Sequence, residues 1–351
     1  MKSKKLSEKI LRSIKSKGFK SINLNPVLEA KYILQRSGES FKKFLFSFFD
    51  LNGKELCLRP DLTISSVLRF IQNKGSKKEK VCYEGQAFRK TYTKKDSIIK
   101  NQIGFEILGS NNKLMDDKEI LDISLKILKN SSFKKSVLKL GNVEIFNLLI
   151  DKLDIPNRWK NRLKRYYWNE SYFNELLKRL ETNSDIDPVF VEIDKSRYLK
   201  MRKDNQNKIL AGRSYKEILD RFDTKIKDPR RSLTGKKNTK IIKEFLKIKC
   251  PIEKATNVLN SFFRKNNINI FVGKDFFPLK KINNKNLKVE FTASNGRDVE
   301  FYSSMIFSIE VKKGSKFQNF ISGGRYDQLT TNLGFKQIPA VGAAVNMNVY
   351  E

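Results

Sequence analysis

The distribution of strands along the chain constrains its fold more than any other feature. Segments 80–90 and 99–110 are predicted strands, and the polar loop between them indicates an antiparallel pair. Further strands are predicted near the C-terminus, in segments 287–293, 299–311 and 317–324. Because helices do not alternate regularly with these strands, the pattern predicts an α+β fold with an antiparallel sheet rather than repeated βαβ units.

The middle of the chain is predicted to be helical. Between about residues 140 and 265, segments with helical spacing of apolar residues are separated by polar, basic loops. We therefore predict a helical insertion at residues 141–265. The strand-rich flanks, residues 1–140 and 266–351, are predicted to form one discontinuous core.

Local signals predict where three elements begin or end. Thr63 is the predicted N-cap of a helix over residues 63–73, because its hydroxyl can accept from the free N–H groups of the first turn. A short helix is predicted from about Tyr326. The last predicted element is a strand over residues 339–350.

Charge and the lack of histidine limit the chemistry of the chain. Its 351 residues include 72 Lys and Arg, 38 Asp and Glu and no His, for a formal charge of +34. No mechanism can therefore use a histidine of this chain as general base or metal ligand. A charge of this size is typical of proteins with polyanionic partners. An AT-rich genome also favours Lys and Asn, so the charge alone leaves both explanations open.

The cysteines and the hydropathy pattern indicate a cytoplasmic protein. Cys57, Cys82 and Cys250 are too few and too scattered for a disulfide framework or a zinc cluster. The N-terminus is a predicted amphipathic helix without the apolar segment of a leader peptide. No apolar run approaches the roughly 18 residues that a membrane span requires. The sequence predicts neither a metal site nor a cofactor.

Polar residues interrupt several apolar strands. They are Arg59, Asp61, Arg89, Gln102, Glu106, Arg297, Glu300, Tyr302, Arg325 and Asp327. Any one of them could lie on a solvated sheet face. Gln102, Gly104 and Glu106 alternate, however, and so share one face of a strand. Gly104 is expected to leave room for a ligand there, and a face with guanidinium, carboxylate and amide groups suits a small zwitterion.

The order of the motifs resembles that of the class II aminoacyl-tRNA synthetases, and specifically the histidyl-tRNA synthetases. The matching runs are INLNPVLEAKYIL, FFDLNGKELCLRPDLT, CYEGQAFRK, NQIGFEILG, GRDVEFYSS, GGRYDQL and PAVGAAV. More closely, the chain resembles the synthetase paralogues that serve as regulatory subunits of ATP phosphoribosyltransferase. The resemblance covers nearly the whole chain and implies a class II synthetase-like antiparallel sheet flanked by helices.

The resemblance implies a histidine pocket at seven positions. They are Asp61, Thr63, Arg89, Gln102, Glu106, Arg297 and Tyr302. In histidyl-tRNA synthetases the residues that match Asp61 and Thr63 hold the α-amino group. Those that match Arg89 and Gln102 hold the carboxylate end of histidine.

The imidazole end of the pocket is implied in the same way. Residues that match Glu106 and Tyr302 bind the imidazole, and an ionised carboxylate can accept from its N–H. Arg297 matches the arginine of the same family segment, and Phe301 replaces a tyrosine there. Pro26 matches a proline that lies at the dimer interface of the family.

The ATP side departs from the synthetase pattern. Thr91 stands where the second motif has a glutamate, and the loop after it carries lysines without arginine. Lysine binds phosphate less specifically than a bidentate arginine. Val349 stands where the third motif ends in arginine, and the chain ends without an anticodon-binding domain. These departures predict a chain that forms no adenylate and has no catalytic residues of its own.

A histidine pocket without the ATP machinery implies a sensor. We expect a non-catalytic regulatory subunit of ATP phosphoribosyltransferase, which takes part in the first step of histidine biosynthesis. Its expected partners are the short-form catalytic subunit, a second copy of itself within a hetero-oligomer, and L-histidine as effector, with no tRNA and no membrane. The alternatives are a truncated or divergent histidyl-tRNA synthetase and a synthetase-like sensor or RNA-binding module. Because basic residues occur in every segment, we attribute most of the charge to composition.

Overall fold

The computed structural model describes most of the chain. The described residues are 2–37, 39–73, 75, 77–91, 97–183, 196–197, 199–200, 202–203, 209–210, 213–227, 232–278, 286–296 and 301–350. Arg297 and Glu300, both singled out from the sequence, lie outside these residues. No helix among the residues described is both long and apolar enough to cross a membrane.

The chain forms two compact units. The first comprises Met1–Phe146, Ile248–Ser261 and Phe271–Glu351, and the second comprises Asn147–Lys247 and Phe262–Ile270. The boundaries that we placed at residues 140 and 266 stay a prediction.

Fourteen strands are numbered in chain order over the described residues. They are β1 Lys20–Ser21, β2 Val27–Glu29, β3 Ser47–Phe49, β4 Glu55–Leu58, β5 Glu79–Phe88, β6 Ile99–Leu108, β7 Ser136–Asn142, β8 Ile209–Leu210, β9 Arg213–Ser214, β10 Lys249–Pro251, β11 Leu287–Thr292, β12 Met305–Lys313, β13 Lys316–Arg325 and β14 Ala340–Asn346. Nine of them form one sheet in the order β1-β5-β6-β14-β13-β12-β7-β11-β10. Its pairs are antiparallel except β1 with β5 and β7 with β11. A smaller sheet has the order β2-β4-β3, and β8 pairs with β9.

The helices are numbered in the same way. They are α1 Lys2–Lys15, α2 Ala30–Ser37, α3 Thr63–Gln72, α4 Lys113–Lys129, α5 Val143–Lys152, α6 Asn157–Arg165, α7 Glu170–Thr182, α8 Tyr215–Lys227, α9 Gly235–Leu246, α10 Ala255–Lys265 and α11 Leu329–Asn332, with 3₁₀ turns at Glu39–Phe44, Ile252–Lys254, Lys274–Phe276 and Met347–Tyr350. Helices and a mainly antiparallel sheet confirm the predicted α+β class.

The two faces of the large sheet differ in chemistry. One face carries large apolar side chains such as Phe105, Phe307 and Val341, which pack in one core with α1 and α4. Helix α4 contributes Ile120 and Ile127, since a spacing of seven residues returns to the same helix face. The opposite face combines buried side chains such as Tyr83 with glycines and the polar Glu106. This is the face on which polar groups are available for a binding site.

The second unit is built from helices around an apolar interior. Its fully buried side chains include Trp159, Leu163, Phe173, Leu177, Leu180, Ile242 and Phe245. Trp159 and Leu163 lie one helical turn apart in α6, and so point to the same side of a helix whose other residues are mostly basic. The helical character predicted for this part of the sequence is present in the described residues.

Three predictions about element ends differ from the structure, and a side-chain contact explains two of the differences. Helix α3 begins at Thr63, and Asp61 rather than Thr63 serves its first turn, since Asp61 Oδ1 accepts from the Ile64 N–H at 3.0 Å. The helix predicted from about Tyr326 begins three residues later, at Leu329. The last strand ends at Asn346, whose side chain accepts from the Asn348 N–H at 3.2 Å and starts a 3₁₀ turn.

Strand β7 was missed in the sequence. Its residues Ser136, Leu138 and Leu140 are buried while those between them are half-buried, which is the alternation of a strand. The segment directly precedes a helix, and its strand pairing with β11 joins residues about 150 positions apart.

Candidate functional site

Glu106 of β6 is the centre of the candidate site. Its side chain is 1% exposed. Oε1 accepts from the Tyr83 hydroxyl at 2.5 Å and from the Thr63 hydroxyl at 3.2 Å. Oε2 accepts from the Tyr326 hydroxyl. Three hydroxyl groups from three different segments therefore surround one buried carboxyl group, and we call Thr63, Tyr83 and Tyr326 the hydroxyl clamp.

Burial dominates the electrostatics of this carboxyl. It raises the pKa of Glu106 to about 7, whereas the hydrogen bonds from the hydroxyl clamp act in the opposite direction. Burial likewise raises the pKa of Tyr83 and Tyr326, which keeps both hydroxyl groups protonated as donors. Near neutral pH the charge of Glu106 is finely balanced, so a cationic or N–H-donating ligand would favour its ionised form.

Two glycines make room for these side chains. Gly342 of β14 lies opposite Glu106 in the strand register, and a Cβ there would overlap Glu106 Oε2. Gly104 lies opposite Tyr83, and a Cβ there would overlap the Tyr83 ring. The prediction that Gly104 leaves space for a ligand was wrong, because the tyrosine ring fills that space.

Asp61 and Arg89 lie together at the start of α3. Asp61 Oδ2 is 4.0 Å from the Arg89 guanidinium. Arg89 Nε donates to the carbonyl oxygen of Pro60 at 2.8 Å, which fixes the guanidinium beside the loop that carries Asp61 and Thr63. A carboxylate and a guanidinium in contact can bind the amino and carboxylate groups of one amino acid.

Gln102 and Tyr302 extend the same sheet face. Gln102 is half-buried and lies between Gly85 of β5 and Asn346 of β14. Tyr302 lies against Gly324, which is in register with Gly342. Burial raises the pKa of Tyr302, and the charges of Glu106 and Asp61 add to the effect, so the tyrosine lies within electrostatic reach of both carboxylates.

The structure thus brings together Asp61, Thr63, Arg89, Gln102, Glu106 and Tyr302, while Arg297 lies outside the described residues. Pro26 is exposed, away from the clamp, and its carbonyl oxygen accepts from the Arg59 N–H at 2.9 Å. Its place at a dimer interface stays a prediction. Among the residues described, no group of three acidic or thiol side chains could hold a metal ion.

Tyr83 and Tyr326 were missed as site residues. Both had a signal in the sequence: Tyr83 alternates with Gly85 and Ala87 in a strand, and Tyr326 stands between Arg325 and Asp327 in GGRYD. Tyrosine in an apolar strand is usually a core residue, however. Only the contacts with Glu106 distinguish these two from core aromatics.

The structure also shows where one of the departures from the ATP-binding motifs lies. Val349, at the position where the third synthetase motif has arginine, is 3% exposed and packs in the apolar core. It contributes no charge to the sheet face. The loop 92–96 lies outside the described residues.

A separate cleft of about 420 Å³ opens in the first unit, near Pro26. Its polar lining includes Asn23, Asn25, Tyr32 and Arg69, and its apolar lining includes Leu28. None of the residues of the hydroxyl clamp lines it, so the cleft is distinct from the candidate site.

Comparison with known proteins decides the family. A family model described as histidyl-tRNA synthetase matches residues 1–189, more than half of the chain. The chain belongs to the histidyl-tRNA synthetase family.

Within this family the similarity extends over nearly the whole chain. The ATP phosphoribosyltransferase regulatory subunit of Allorhizobium ampelinum is 26% identical over 351 residues, which cover 95% of this chain and 93% of that relative. The predicted likeness of this family member to such regulatory subunits is confirmed.

Solved structures show the same fold. An ATP phosphoribosyltransferase regulatory subunit/histidyl-tRNA synthetase from Bacillus halodurans matches with a TM-score of 0.57 and 16% identity, over 99% of this chain and 77% of that one. The ATP phosphoribosyl transferase complex from Thermotoga maritima contains a chain that matches with a TM-score of 0.52 and 16% identity, over 97% and 96%. The class II synthetase-like fold of this family member is therefore confirmed.

Proposed function

We propose that this chain is a non-catalytic regulatory subunit of ATP phosphoribosyltransferase and that it takes part in the first step of histidine biosynthesis. The observation that carries this proposal is the similarity to a regulatory subunit over 95% of the chain. The joining of ATP to phosphoribosyl pyrophosphate would belong to the partner, a short-form catalytic subunit. The Thermotoga maritima neighbour, which comes from an ATP phosphoribosyl transferase complex, supports this assignment.

L-Histidine is the proposed effector of the candidate site. The buried carboxyl of Glu106 would accept from the imidazole, whose other contact would be Tyr302. Asp61 and Thr63 would bind the α-amino group, and Arg89 the carboxylate. The 4.0 Å separation of the Asp61 and Arg89 charged groups supports this orientation, because the two ends of an amino acid are joined by a single carbon. Gln102 and Arg297 complete the proposed pocket by resemblance.

Regulation would follow from linkage. If histidine binds one state of the assembly more tightly than another, it shifts the equilibrium by the difference in binding free energy and by no more. The apolar burial of Val349 supports a role without adenylate formation, since no cation at that position could bind the phosphates of ATP.

We further propose a homodimer within the hetero-oligomer, located in the cytoplasm and independent of tRNA. The resemblance of Pro26 to a proline at the dimer interface of the family supports the homodimer. The free cysteines support a reducing compartment, since Cys57 and Cys82 are buried and unbridged.

Two experiments test these proposals. Titration calorimetry of the pure chain should give saturable binding of L-histidine, and Glu106→Ala should abolish it. Assembly with the catalytic subunit should raise its phosphoribosyltransferase activity, and histidine should lower it again. Failure to copurify with the catalytic subunit, or histidine-dependent pyrophosphate exchange by the chain alone, would overturn the regulatory proposal in favour of a divergent synthetase.

A further inference from the structure

A buried ion-pair network lies directly beside the hydroxyl clamp. Arg325, the last residue of β13, is 1% exposed. Its Nε donates to Asp117 Oδ1 at 2.8 Å, its Nη1 donates to Asp327 Oδ1 at 2.9 Å, and its Nη2 donates to the Lys113 carbonyl oxygen at 3.0 Å. A buried guanidinium requires such partners, because an unpaired charge in the interior is strongly destabilising.

The network ties four segments of the first unit together. Asp327 Oδ1 accepts from the Ala340 N–H at 2.9 Å, at the start of β14. Its backbone N–H donates to the Ser303 hydroxyl at 3.2 Å, next to Tyr302. Asp117 and Lys113 belong to the first two turns of α4. Asp117 thus connects the end of β13 to α4, and Asp327 connects it to β14.

Tyr326 lies between Arg325 and Asp327, which the network holds in place. Its N–H donates to the Ala340 carbonyl oxygen at 2.8 Å. Its ring packs edge-on against Phe301, with centroids 5.6 Å apart. Because the backbone on both sides is held, the hydroxyl has little freedom to leave Glu106 unless the network itself moves.

Both oxygens of the Glu106 carboxyl already accept hydrogen bonds. Oε1 accepts from two hydroxyl groups, and Oε2 accepts from Tyr326 alone. An imidazole N–H that reaches Oε2 would therefore share this oxygen with the Tyr326 hydroxyl, because a carboxylate oxygen can accept two hydrogen bonds. Two donors at one oxygen must adjust to each other, and that adjustment acts on the backbone that Arg325 anchors.

We propose that Arg325, Asp117 and Asp327 are positioning residues for the histidine pocket: they hold the Tyr326 hydroxyl on Glu106 and couple occupancy of the pocket to the first turn of α4. This inference rests on the proposed binding of histidine. The coupling would reach the molecular surface, since Leu114 and Met115 in that turn are 48% and 57% exposed. A partner that contacts this turn would sense the state of the pocket.

The pH dependence of binding separates this role from a merely structural one. The titratable groups that face Glu106 are Tyr83, Tyr302, Tyr326 and Asp61. The three tyrosines stay protonated over the range of the experiment because burial raises the pKa of each. The imidazole of the ligand also titrates near neutral pH, but it does so equally for every variant. A difference between variants therefore reports on the pocket.

The test compares Tyr326→Phe, Asp117→Asn, the double variant that combines them, and Arg325→Lys, all in the full chain. We measure the Kd for L-histidine between about pH 5.5 and 8.5, and hydrogen exchange of peptides covering residues 110–118 with and without histidine. Glu310→Gln is the matched control, because it breaks the 2.5 Å Lys139–Glu310 ion pair, which lies on β7 and β12 of the same sheet and outside the clamp.

The expected result has three parts. Tyr326→Phe and Asp117→Asn each weaken histidine binding about tenfold and move the midpoint of its pH dependence to higher pH, because Glu106 loses a donor that favours its ionised form. Histidine alters exchange at residues 110–118 in the wild type but not in Tyr326→Phe. The double variant binds no more weakly than Tyr326→Phe alone, since both changes remove the same effect.

Different results would refute the histidine pocket and the positioning role. Wild-type protein that binds no histidine refutes the proposed pocket, and this inference with it. Wild-type protein that binds, while Asp117→Asn and Arg325→Lys lose stability but keep the wild-type Kd and pH midpoint, refutes the positioning role alone. Additive losses in the double variant refute it as well. If Asp117→Asn does not fold, the same comparison with Arg325→Lys decides.

Discussion

Replacement of Glu106 by glutamine should remove the contribution of this side chain to the pH dependence of the unfolding free energy of the first unit. Burial raises the pKa of Glu106 from 4.5 to about 7. A tenfold change in an equilibrium is about 1.4 kcal/mol, so ionisation of Glu106 in the folded protein costs about 3 kcal/mol relative to the unfolded chain. Glutamine has nearly the same shape and, like the protonated acid, carries an acceptor oxygen and a donor group, but it cannot ionise.

The sign of the effect follows from proton binding. Between pH 4.5 and about 7 the folded state holds the Glu106 proton more tightly than the unfolded chain does. Wild-type stability from this group is therefore highest at low pH and falls as the pH rises through that window. Glu106→Gln lacks this slope, so the stability of the variant relative to wild type should increase by about 2.5 kcal/mol between pH 5 and pH 8.

The assay must report on the first unit. Both tryptophans, Trp159 and Trp168, lie in the second unit, so their fluorescence does not follow β6 directly. Hydrogen exchange in urea, resolved for peptides of β6 and β14, gives the required unfolding free energy. Glu84→Gln, the same substitution at an exposed position of the neighbouring strand β5, is the matched control.

Equal stability differences between Glu106→Gln and wild type at pH 5 and pH 8 would refute the reasoning. That result would mean that Glu106 ionises in the fold as easily as in water. The same variant should lose most of its histidine affinity, because an amide forms weaker hydrogen bonds than a carboxylate.

Three further predictions concern other parts of the chain. Gly342→Ala should weaken histidine binding in calorimetry and destabilise the chain by about 1–3 kcal/mol in urea, because its Cβ overlaps Glu106 Oε2; unchanged binding would contradict the close approach of these two strands at Glu106. Leu163→Ala in the core of the second unit should cost about 2–5 kcal/mol by tryptophan fluorescence and leave histidine binding unaltered. Cys57, whose pKa burial raises to about 11, should resist a thiol reagent at mildly alkaline pH while half-exposed Cys250 reacts, as mass spectrometry would detect; faster labelling of Cys57 would disprove its burial.

Much of the site could be predicted, because the positions of several of its residues depend only on near neighbours in the sequence. The alternation of Gln102, Gly104 and Glu106 in one strand correctly places all three on one sheet face. Asp61 and Thr63 share one turn at the start of α3, so their proximity is also local. The motifs predicted the family, which the match over residues 1–189 confirms.

The surroundings of Glu106 could not be predicted in this way. Its bond with Tyr326 joins residues 220 positions apart, and that with Thr63 joins residues 43 apart. Nothing in the local pattern around Tyr326 distinguishes a hydroxyl that binds a carboxylate from an ordinary core tyrosine. The filled space above Gly104 has the same origin, since Tyr83 comes from another strand.

The sequence by itself determined the class of fold, the family and the identity of the polar residues on the sheet face, because periodicity and motifs are properties of neighbouring residues. The tertiary structure alone decided that Glu106 is buried, that three hydroxyl groups satisfy it, and that Arg325 anchors one of them. Burial and hydrogen bonding depend on which distant segments pair in the sheet. Strand order and register, set by the whole core, therefore turn a row of polar residues into a site with a carboxyl that titrates near neutral pH.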